Sequence, residues 1–262
     1  MAQAHDHDFH IPANSIWPPV NCLGAGMIAF GFIFLMHFSP LVGKILLGGG
    51  LAVLLLGMVM WFKELISEAR ARGFKTVPRV LDLANRYGMI FFIVSEVMFF
   101  AAFFAAYFYS VNFNEAWPPA NIKFFEIYLP ILGTLILLTS GTTITFAHHD
   151  VVEGHMRKGT LMTFLTVALG GFFLLFQAYE YSHAEFAFSS GIFGSLFYMI
   201  TGFHGFHVLV GAIMLFVAWN RMRKGDFTAD HHFYFEASAW YWHFVDVVWI
   251  GVLLFIYLLP NG

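Results

Sequence analysis

The sequence predicts an all-α membrane protein with seven transmembrane helices. Hydrophobic residues make up 59% of its 262 residues, and charged residues make up only 11%. A soluble domain has about 25% charged residues, so this chain has too few polar groups to cover a globule in water. Long apolar stretches follow one another along it, each near the roughly 20 residues that a helix needs to cross the hydrocarbon core.

Taken in order along the chain, these stretches define the predicted spans. The third and the sixth are the longest, which favours tilt or extension beyond the bilayer. Glycine occurs inside several spans, as in Gly48-Gly49-Gly50, where it permits close approach of neighbouring membrane helices. The predicted spans are residues 16–36, 41–62, 80–110, 127–147, 160–181, 191–219 and 233–259.

A charged connection at residues 67–79 separates two predicted spans from five. The predicted organisation is a polar tail (1–15), a two-helix bundle (16–66), this linker and a five-helix bundle (80–262). The tail has no basic region before an apolar one, so we expect no cleavable signal peptide. The single cysteine, Cys22, excludes an internal disulfide framework, a thiolate zinc site and an iron–sulfur cluster within this chain.

Basic residues predict the orientation of the spans. With seven spans, only Lys44 and Lys123 of the 13 lysines and arginines fall on one face, and all the others that flank spans fall on the opposite face. The positive-inside rule then places the N-terminus in the cytoplasm, or the matrix, and the C-terminus outside.

Five ionisable residues fall inside predicted spans, where unpartnered charge is costly. His204 and His207 lie three residues apart on the sixth span, as His243 and Asp246 do on the last, and Glu96 lies in the middle of the third. They form a predicted buried polar layer. It could be a proton relay or a metal site, but hydrogen bonding between helices is favoured. We expect the outer halves of these helices to be almost entirely apolar, and a proton path needs polar groups across the full depth.

Glu96 supports a more specific hypothesis. Burial disfavours a charged carboxylate, so this side chain is expected to be protonated at neutral pH or to hold a close partner. We predict that protonated Glu96 hydrogen-bonds a histidine of the sixth span.

The 13 histidines also raise a metal hypothesis, because some superficially resemble the histidine boxes of membrane di-iron desaturases. Such boxes must lie at one depth to share one metal centre. We predict no catalytic and no metal-ligating residue, because His204, His207 and His243 are expected to lie deeper than the rest. The histidines expected near the cytoplasmic face are His148, His149, His155, His231 and His232. A secondary transporter is disfavoured because the two halves show no inverted repeat.

Several motifs, in order along nearly the whole chain, are similar to those of one known family. They are Ile16-Trp17-Pro18, Arg86-Tyr87-Gly88-Met89-Ile90, Ser95-Glu96-Val97-Met98-Phe99-Phe100, Trp117-Pro118-Pro119, Ala147-His148-His149, Gln177-Ala178-Tyr179-Glu180-Tyr181, Thr201-Gly202-Phe203-His204-Gly205-Phe206-His207-Val208, and His231-His232-Phe233 followed by residues 237–249. On these motifs the chain resembles cytochrome c oxidase subunit III, the haem–copper oxidase subunit without redox centres.

The resemblance implies a fold and a role. The two bundles would be splayed in a V with phospholipid in the cleft. The chain would be a non-redox subunit of a terminal oxidase that reduces O2 to water and pumps protons. It would stabilise the catalytic subunit, hold lipid, shape oxygen access and support proton uptake. Its partners would be subunits I and II, phospholipid and, indirectly, cytochrome c, with no nucleic acid. Haem a and copper would belong to the partner subunits.

Two further sets of residues follow from the resemblance. The candidates for lipid binding are Trp61, Lys63, Glu68 and Arg221. Tryptophan and cations at this level also simply anchor helices at the interface, and lysine lacks the bidentate phosphate contact of an arginine. The candidates for a proton-collecting antenna are His5, His7 and His10. A disordered polar tail is the alternative for this segment.

Related functions remain as alternatives. They are subunit III of a quinol oxidase, an accessory protein of a nitric oxide reductase and, less favoured, a di-iron desaturase-like enzyme. The motif Trp240-Tyr241-Trp242-His243, the Trp117-Pro118-Pro119 loop and the complete two-helix N-terminal bundle favour the cytochrome c type. The acidic and histidine-rich N-terminus favours the inner (plasma) membrane of an α-proteobacterium, with the mitochondrial inner membrane as the alternative.

Overall fold

The computed structural model describes residues 14–71, 79–114, 117–119 and 127–259. Within these ranges every regular element is helical, and seven helices are long and apolar enough to cross a membrane. The prediction of an all-α membrane protein with seven spans is therefore confirmed. The helices are α1 (Trp17–His37), α2 (Pro40–Ala71), α3 (Arg79–Phe113), α4 (Tyr128–Val152), α5 (Met156–Ser182), α6 (Ile192–Arg223) and α7 (Phe233–Val252), which continues as a π-helical segment (Leu253–Leu258).

The chain divides into two compact units, Met1–Leu81 and Asp82–Gly262. We call them the two-helix unit, which contains α1 and α2, and the five-helix unit, which contains α4 to α7 and nearly all of α3. Helix α2 runs to Ala71, past its predicted end at residue 62. Its last turns are rich in Lys, Glu, Arg and Ala, which have high helix propensity. The first part of the predicted linker is therefore helical, and residues 72–78 lie outside the described ranges.

In the two-helix unit, α1 and α2 pack through buried glycines. Gly24 and Gly31 of α1 are buried, and so are Gly43, Gly50 and Gly57 of α2. Both series repeat every seven residues, which is close to two helical turns, so the glycines of each helix lie on one face. A Cβ atom on Gly50 would lie 2.9 Å from the Gly24 carbonyl oxygen, so the two backbones are in direct contact.

Local chemistry fixes the two ends of α1. Pro18 lies in the first turn, where a missing backbone N–H removes no helical hydrogen bond. The Ser15 hydroxyl donates to Glu64 Oε2 at 2.7 Å, which joins the start of α1 to the last part of α2. At the other end, the Ser39 amide donates to the Phe34 carbonyl oxygen at 2.8 Å and closes the turn that leads into α2.

In the five-helix unit, α7 is the most buried helix. Trp242 and Trp249 are 0% and 1% exposed, and they are seven positions apart, so both face α4. The Trp242 indole N–H donates to Ser140 Oγ at 2.9 Å, and that of Trp249 donates to Thr134 Oγ1 at 2.8 Å. Each large ring thus fills the core while its one polar atom is satisfied on α4.

Helices α4 and α6 end in the same way. Gly154 has a φ of 83° and Gly225 a φ of 73°, a conformation that glycine adopts without steric cost. The amide after each glycine donates to the carbonyl five residues earlier, His155 to Asp150 at 2.7 Å and Asp226 to Arg221 at 3.1 Å. These are Schellman motifs, and they stop each helix where the chain must turn.

Helix α3 meets the rest of its unit through long side chains. The Phe99 ring packs edge-on against Phe203 of α6, with centroids 5.1 Å apart, and Phe104 packs edge-on against Phe255 at 5.3 Å. Elsewhere on the helix, large apolar side chains such as Phe91 and Met98 are mostly exposed. Such a face is typical of a surface covered by lipid or by another protein.

Candidate functional site

The centre of the five-helix unit contains an ion pair or hydrogen bond between α3 and α6. His207 Nε2 lies 2.9 Å from Glu96 Oε2, and His207 Nδ1 lies 2.6 Å from the Phe203 carbonyl oxygen. Only a protonated Nδ1 can bond a carbonyl, so a neutral His207 presents the lone pair of Nε2 to Glu96. The predicted contact between Glu96 and a histidine of the sixth span is confirmed. The protonation of Glu96 stays a prediction.

A second polar pair lies on α7 and faces α4. His243 Nδ1 is 3.9 Å from Asp246 Oδ2, and His243 Nε2 is 3.3 Å from Thr145 Oγ1. Asp246 is 6% exposed, and its Oδ2 lies so close to Gly141 that any side chain at that position would collide with it. Among the described residues, Asp246 Oδ1 has no hydrogen-bond partner. The carboxyl group is thus held against the backbone of α4.

His204 differs from the other members of the predicted layer. It is 0% exposed, and neither ring nitrogen has a hydrogen-bond partner within the part of the chain that the structure describes. Its ring packs against Trp249, with centroids 4.9 Å apart, and against the edge of Phe173 at 5.7 Å. The structure therefore brings Glu96 to His207 and His243 to Asp246, while His204 packs among aromatic rings.

The polar end of α5 was missed at the level of the sequence. Gln177 and Glu180 are 7% and 4% exposed, and the Gln177 amide donates to Glu180 Oε2 at 3.4 Å. The Tyr257 hydroxyl, on the π-helical segment, interacts with both. Among the described residues Glu180 Oε1 has no hydrogen-bond partner. The site borders a cavity of about 10 Å³, which is about the volume that one water molecule needs.

These two residues add a buried polar pair to α5, a helix that holds none of the five residues of the predicted polar layer. Gln177 and Glu180 lie three residues apart and share one helical face, so their spacing was a usable signal for a buried polar pair. The sequence motif that contains them served only for the family resemblance.

Arg86 was also missed as a link between helices. Its Nη1 donates to Glu236 Oε1 at 2.7 Å, which joins α3 to α7, and its Nε donates to Asp82 Oδ2 at 2.9 Å. The guanidinium also lies over the Phe233 ring, 5.2 Å from the centroid. The available signal was the position of Glu236 in the first turn of α7, where the helix dipole favours an acid that can pair with a cation.

Two groups of side chains in the described ranges have the composition of metal ligands. His148, His232 and Glu236 each offer one ligand atom, and these atoms lie within 4.8 Å of one another. The other group is Asp150, half-buried in the last turn of α4, with Glu153 and His155, which are exposed on the turn that follows. In that group Glu153 already contacts His149 at 3.0 Å and His155 at 3.3 Å. His204, His207 and His243 belong to neither group.

The predicted lipid-binding residues of α2 do not all share one face. Trp61 and Glu68 are seven residues apart and lie on the same face. Lys63 is two residues from Trp61, about 200° round the helix, so it lies on nearly the opposite side. Trp61 and Glu68 are half-buried, and Lys63 is exposed.

Arg221, the fourth candidate, belongs to the five-helix unit. Its side chain is 12% exposed, and its Nε donates to Asp226 Oδ2 at 3.3 Å. The guanidinium also lies over the Phe227 ring, 4.6 Å from the centroid. Arg221 therefore already has an anionic partner on its own unit. The antenna candidates His5, His7 and His10 lie outside the described residues.

Comparison with known proteins gives matches over nearly the whole chain. A family model described as "Cytochrome c oxidase subunit III" matches residues 7–260. The chain is 42% identical to a relative from Hippopotamus amphibius over 257 residues, which are 96% of the chain and 97% of the relative. It is 44% identical to one from Marchantia polymorpha, covering 98% of each, and 44% identical to one from Chondrus crispus, covering 96% of the chain and 93% of the relative. All three relatives are named cytochrome c oxidase subunit 3.

Proposed function

The chain belongs to the cytochrome c oxidase subunit III family, and from that membership we propose the role that it has within the oxidase. It is a multi-pass membrane protein that works as part of an oxidase complex. We propose that it is a non-redox subunit, that its direct partners are subunits I and II, and that haem a and copper belong to those partners. The observation that carries this proposal is the match across both units and all seven helices.

The polar contacts support a scaffold rather than a redox role. Glu96 is engaged with His207 of another helix. A redox metal needs several such groups facing one point with their lone pairs free. Glu96 and His207, in the middle of this bundle, instead contact each other, as polar groups do in helix bundles that are held together inside a bilayer. The exposed aromatic face of α3 is the natural contact for lipid or a partner subunit.

Purification of the native complex tests this proposal. We expect the chain to co-purify with haem a and with a partner that has a soluble dinuclear copper domain. A partner without that domain would instead identify a quinol oxidase. A complex prepared without this chain should keep its haem spectrum and lose working lifetime, because the redox centres lie elsewhere. Haem, or a copper centre that takes part in electron transfer, still held by this chain after its partners are removed would contradict the proposal.

We propose that the N-terminus lies in the cytoplasm, that the C-terminus lies in the periplasm, and that the membrane is a bacterial plasma membrane, with the mitochondrial inner membrane as the alternative. The distribution of lysine and arginine supports this orientation. His5, His7 and His10 would then collect protons for the oxidase, because histidine changes its charge near neutral pH. Changing all three to alanine should slow proton uptake from that side, and added mobile buffer should restore the rate. An unchanged rate would contradict the antenna.

We also propose that Trp61, Lys63, Glu68 and Arg221 belong to a phospholipid-binding region. Support comes from their chemistry, since an indole and cations at a helix end suit the headgroup level of a bilayer. Lys63 is the strongest candidate for a headgroup contact, because it is exposed, whereas Arg221 already pairs with Asp226. The splayed arrangement of two bundles with lipid between them remains a prediction.

A further inference from the structure

One cluster outside the central polar pairs joins the end of α4 to the start of α7. His148 lies near the end of α4, His232 is the N-cap residue of α7, and Glu236 lies in the first turn of α7. The spacing of four between His232 and Glu236 puts both on one helical face. The His148 and His232 rings have centroids 5.5 Å apart, and one ligand atom from each of the three residues lies within 4.8 Å of the others.

The nitrogen atoms of this cluster are set up as electron-pair donors. His232 Nδ1 lies 3.1 Å from the Thr228 carbonyl oxygen, so it bears the proton and donates. The lone pair of a neutral His232 is therefore on Nε2. His148 Nε2 is buried and has no hydrogen-bond partner in the described ranges. A histidine whose second nitrogen bonds a backbone carbonyl is the usual form of a metal-binding imidazole.

The charge around the cluster does not oppose a cation. Arg86 donates to one oxygen of Glu236 and also pairs with Asp82, so these three groups together have a net charge of −1. His149 and His243 are the other histidines near His148, and neither adds a fixed charge. The second oxygen of Glu236 can face a metal while Arg86 fixes the orientation of its carboxylate. Hydrogen-bonded carboxylate ligands of this kind are typical of metal sites.

We propose that His148, His232 and Glu236 form a binding site for a divalent transition-metal ion, of which Zn²⁺ is the probe. Two imidazoles and one carboxylate are a suitable donor set, with water as a fourth ligand. Ligands at about 2.0–2.1 Å from a tetrahedral ion are roughly 3.4 Å apart, so small side-chain rotations close the site. The site takes no part in electron transfer, and it does not depend on the role of the chain in an oxidase.

Zinc binding to the purified complex tests the site. Equilibrium dialysis against a series of free Zn²⁺ concentrations should give one more high-affinity ion per complex in the wild type than in His148→Gln or His232→Gln. We expect roughly tenfold or greater weakening in either variant, since loss of a mere supporting contact already costs 10- to 100-fold. His149→Gln is the matched control, because this neighbouring histidine is exposed and pairs with Glu153.

Each outcome bears on the proposal. Equal zinc stoichiometry and affinity in the wild type and both variants would overturn it, provided that each variant keeps the optical spectrum of the intact complex. If the variants do not assemble, anomalous scattering at the zinc edge from a wild-type crystal soaked in Zn²⁺ decides. A peak between the three side chains supports the site, and no peak there rejects it.

Discussion

Single side chains in this protein make polar contacts across helices that are far apart in sequence. Glu96 and His207 are 111 residues apart, and Arg86 and Glu236 are 150 residues apart. Inside a bilayer such a contact satisfies groups that water cannot reach, so losing one partner leaves the other unsatisfied. Removal of one partner is therefore the informative mutation at this scale.

Replacement of Glu96 separates hydrogen bonding from charge. Glu96→Gln keeps a donor opposite His207 Nε2, so the thermal stability of the purified complex should remain nearly unchanged. Glu96→Ala leaves the nearly buried imidazole of His207 without its partner. We therefore expect the free energy of unfolding to fall by about 1–3 kcal/mol. Ser95→Ala is the control, because the Ser95 hydroxyl bonds only the Phe92 carbonyl of its own helix. Equal and unimpaired stability of the Gln and Ala variants would show that the contact is not structural.

Individual helices differ in how they pack. In the two-helix unit, glycines repeated every seven residues bring two backbones into contact. Such glycine contacts are common in membranes, because burying apolar side chains against another helix gains little when lipid is equally apolar. In the five-helix unit, α7 packs large rings against α4 and satisfies their indole N–H groups there. The interface between α1 and α2 tolerates almost no added volume. The interface between α7 and α4 depends on hydrogen bonds to the indole N–H groups.

Two neighbouring glycines of α2 test the first interface. A Cβ atom on Gly50 would lie 2.9 Å from the Gly24 carbonyl oxygen, whereas one on Gly48 meets nothing within 4 Å. Gly50→Ala should therefore destabilise the helix pair by roughly 1–3 kcal/mol through overpacking. Gly48→Ala should be neutral or stabilising by up to about 1 kcal/mol, because alanine favours the helix. Thermal denaturation of the complex measures both. A Gly50→Ala protein as stable as Gly48→Ala would contradict direct backbone contact.

The molecule as a whole presents much apolar surface and few charges, so its environment is lipid and partner subunits. Arg221 lies in the last turn of α6, and Lys63 lies about two turns before the end of α2, on the other unit. Arg221 is engaged with Asp226, while Lys63 is exposed. The two cations should therefore contribute unequally to lipid retention.

Lipid content of the complex measures that difference. Lys63→Ala should weaken retention of anionic phospholipid about fivefold, which corresponds to the roughly 1 kcal/mol contributed by one cation at a membrane surface. Lys44→Ala, an exposed lysine near the other end of the same helix, is the control. Mass spectrometry of lipid that stays bound after detergent washing gives the readout. Identical lipid content in both variants would remove Lys63 from the lipid-binding set.

The sequence by itself determined the number of spans, their approximate bounds, the family and the pairing of Glu96 with the sixth helix. These properties depend on local composition and on residue types whose burial has a high cost in lipid. Only the tertiary structure decided which distant groups meet. It separated His204 from the polar pairs, joined Arg86 to Glu236, and brought His148 of α4 beside His232 of α7. Such contacts depend on the rotation and spacing of helices packed against one another, which the periodicity of a single helix does not contain.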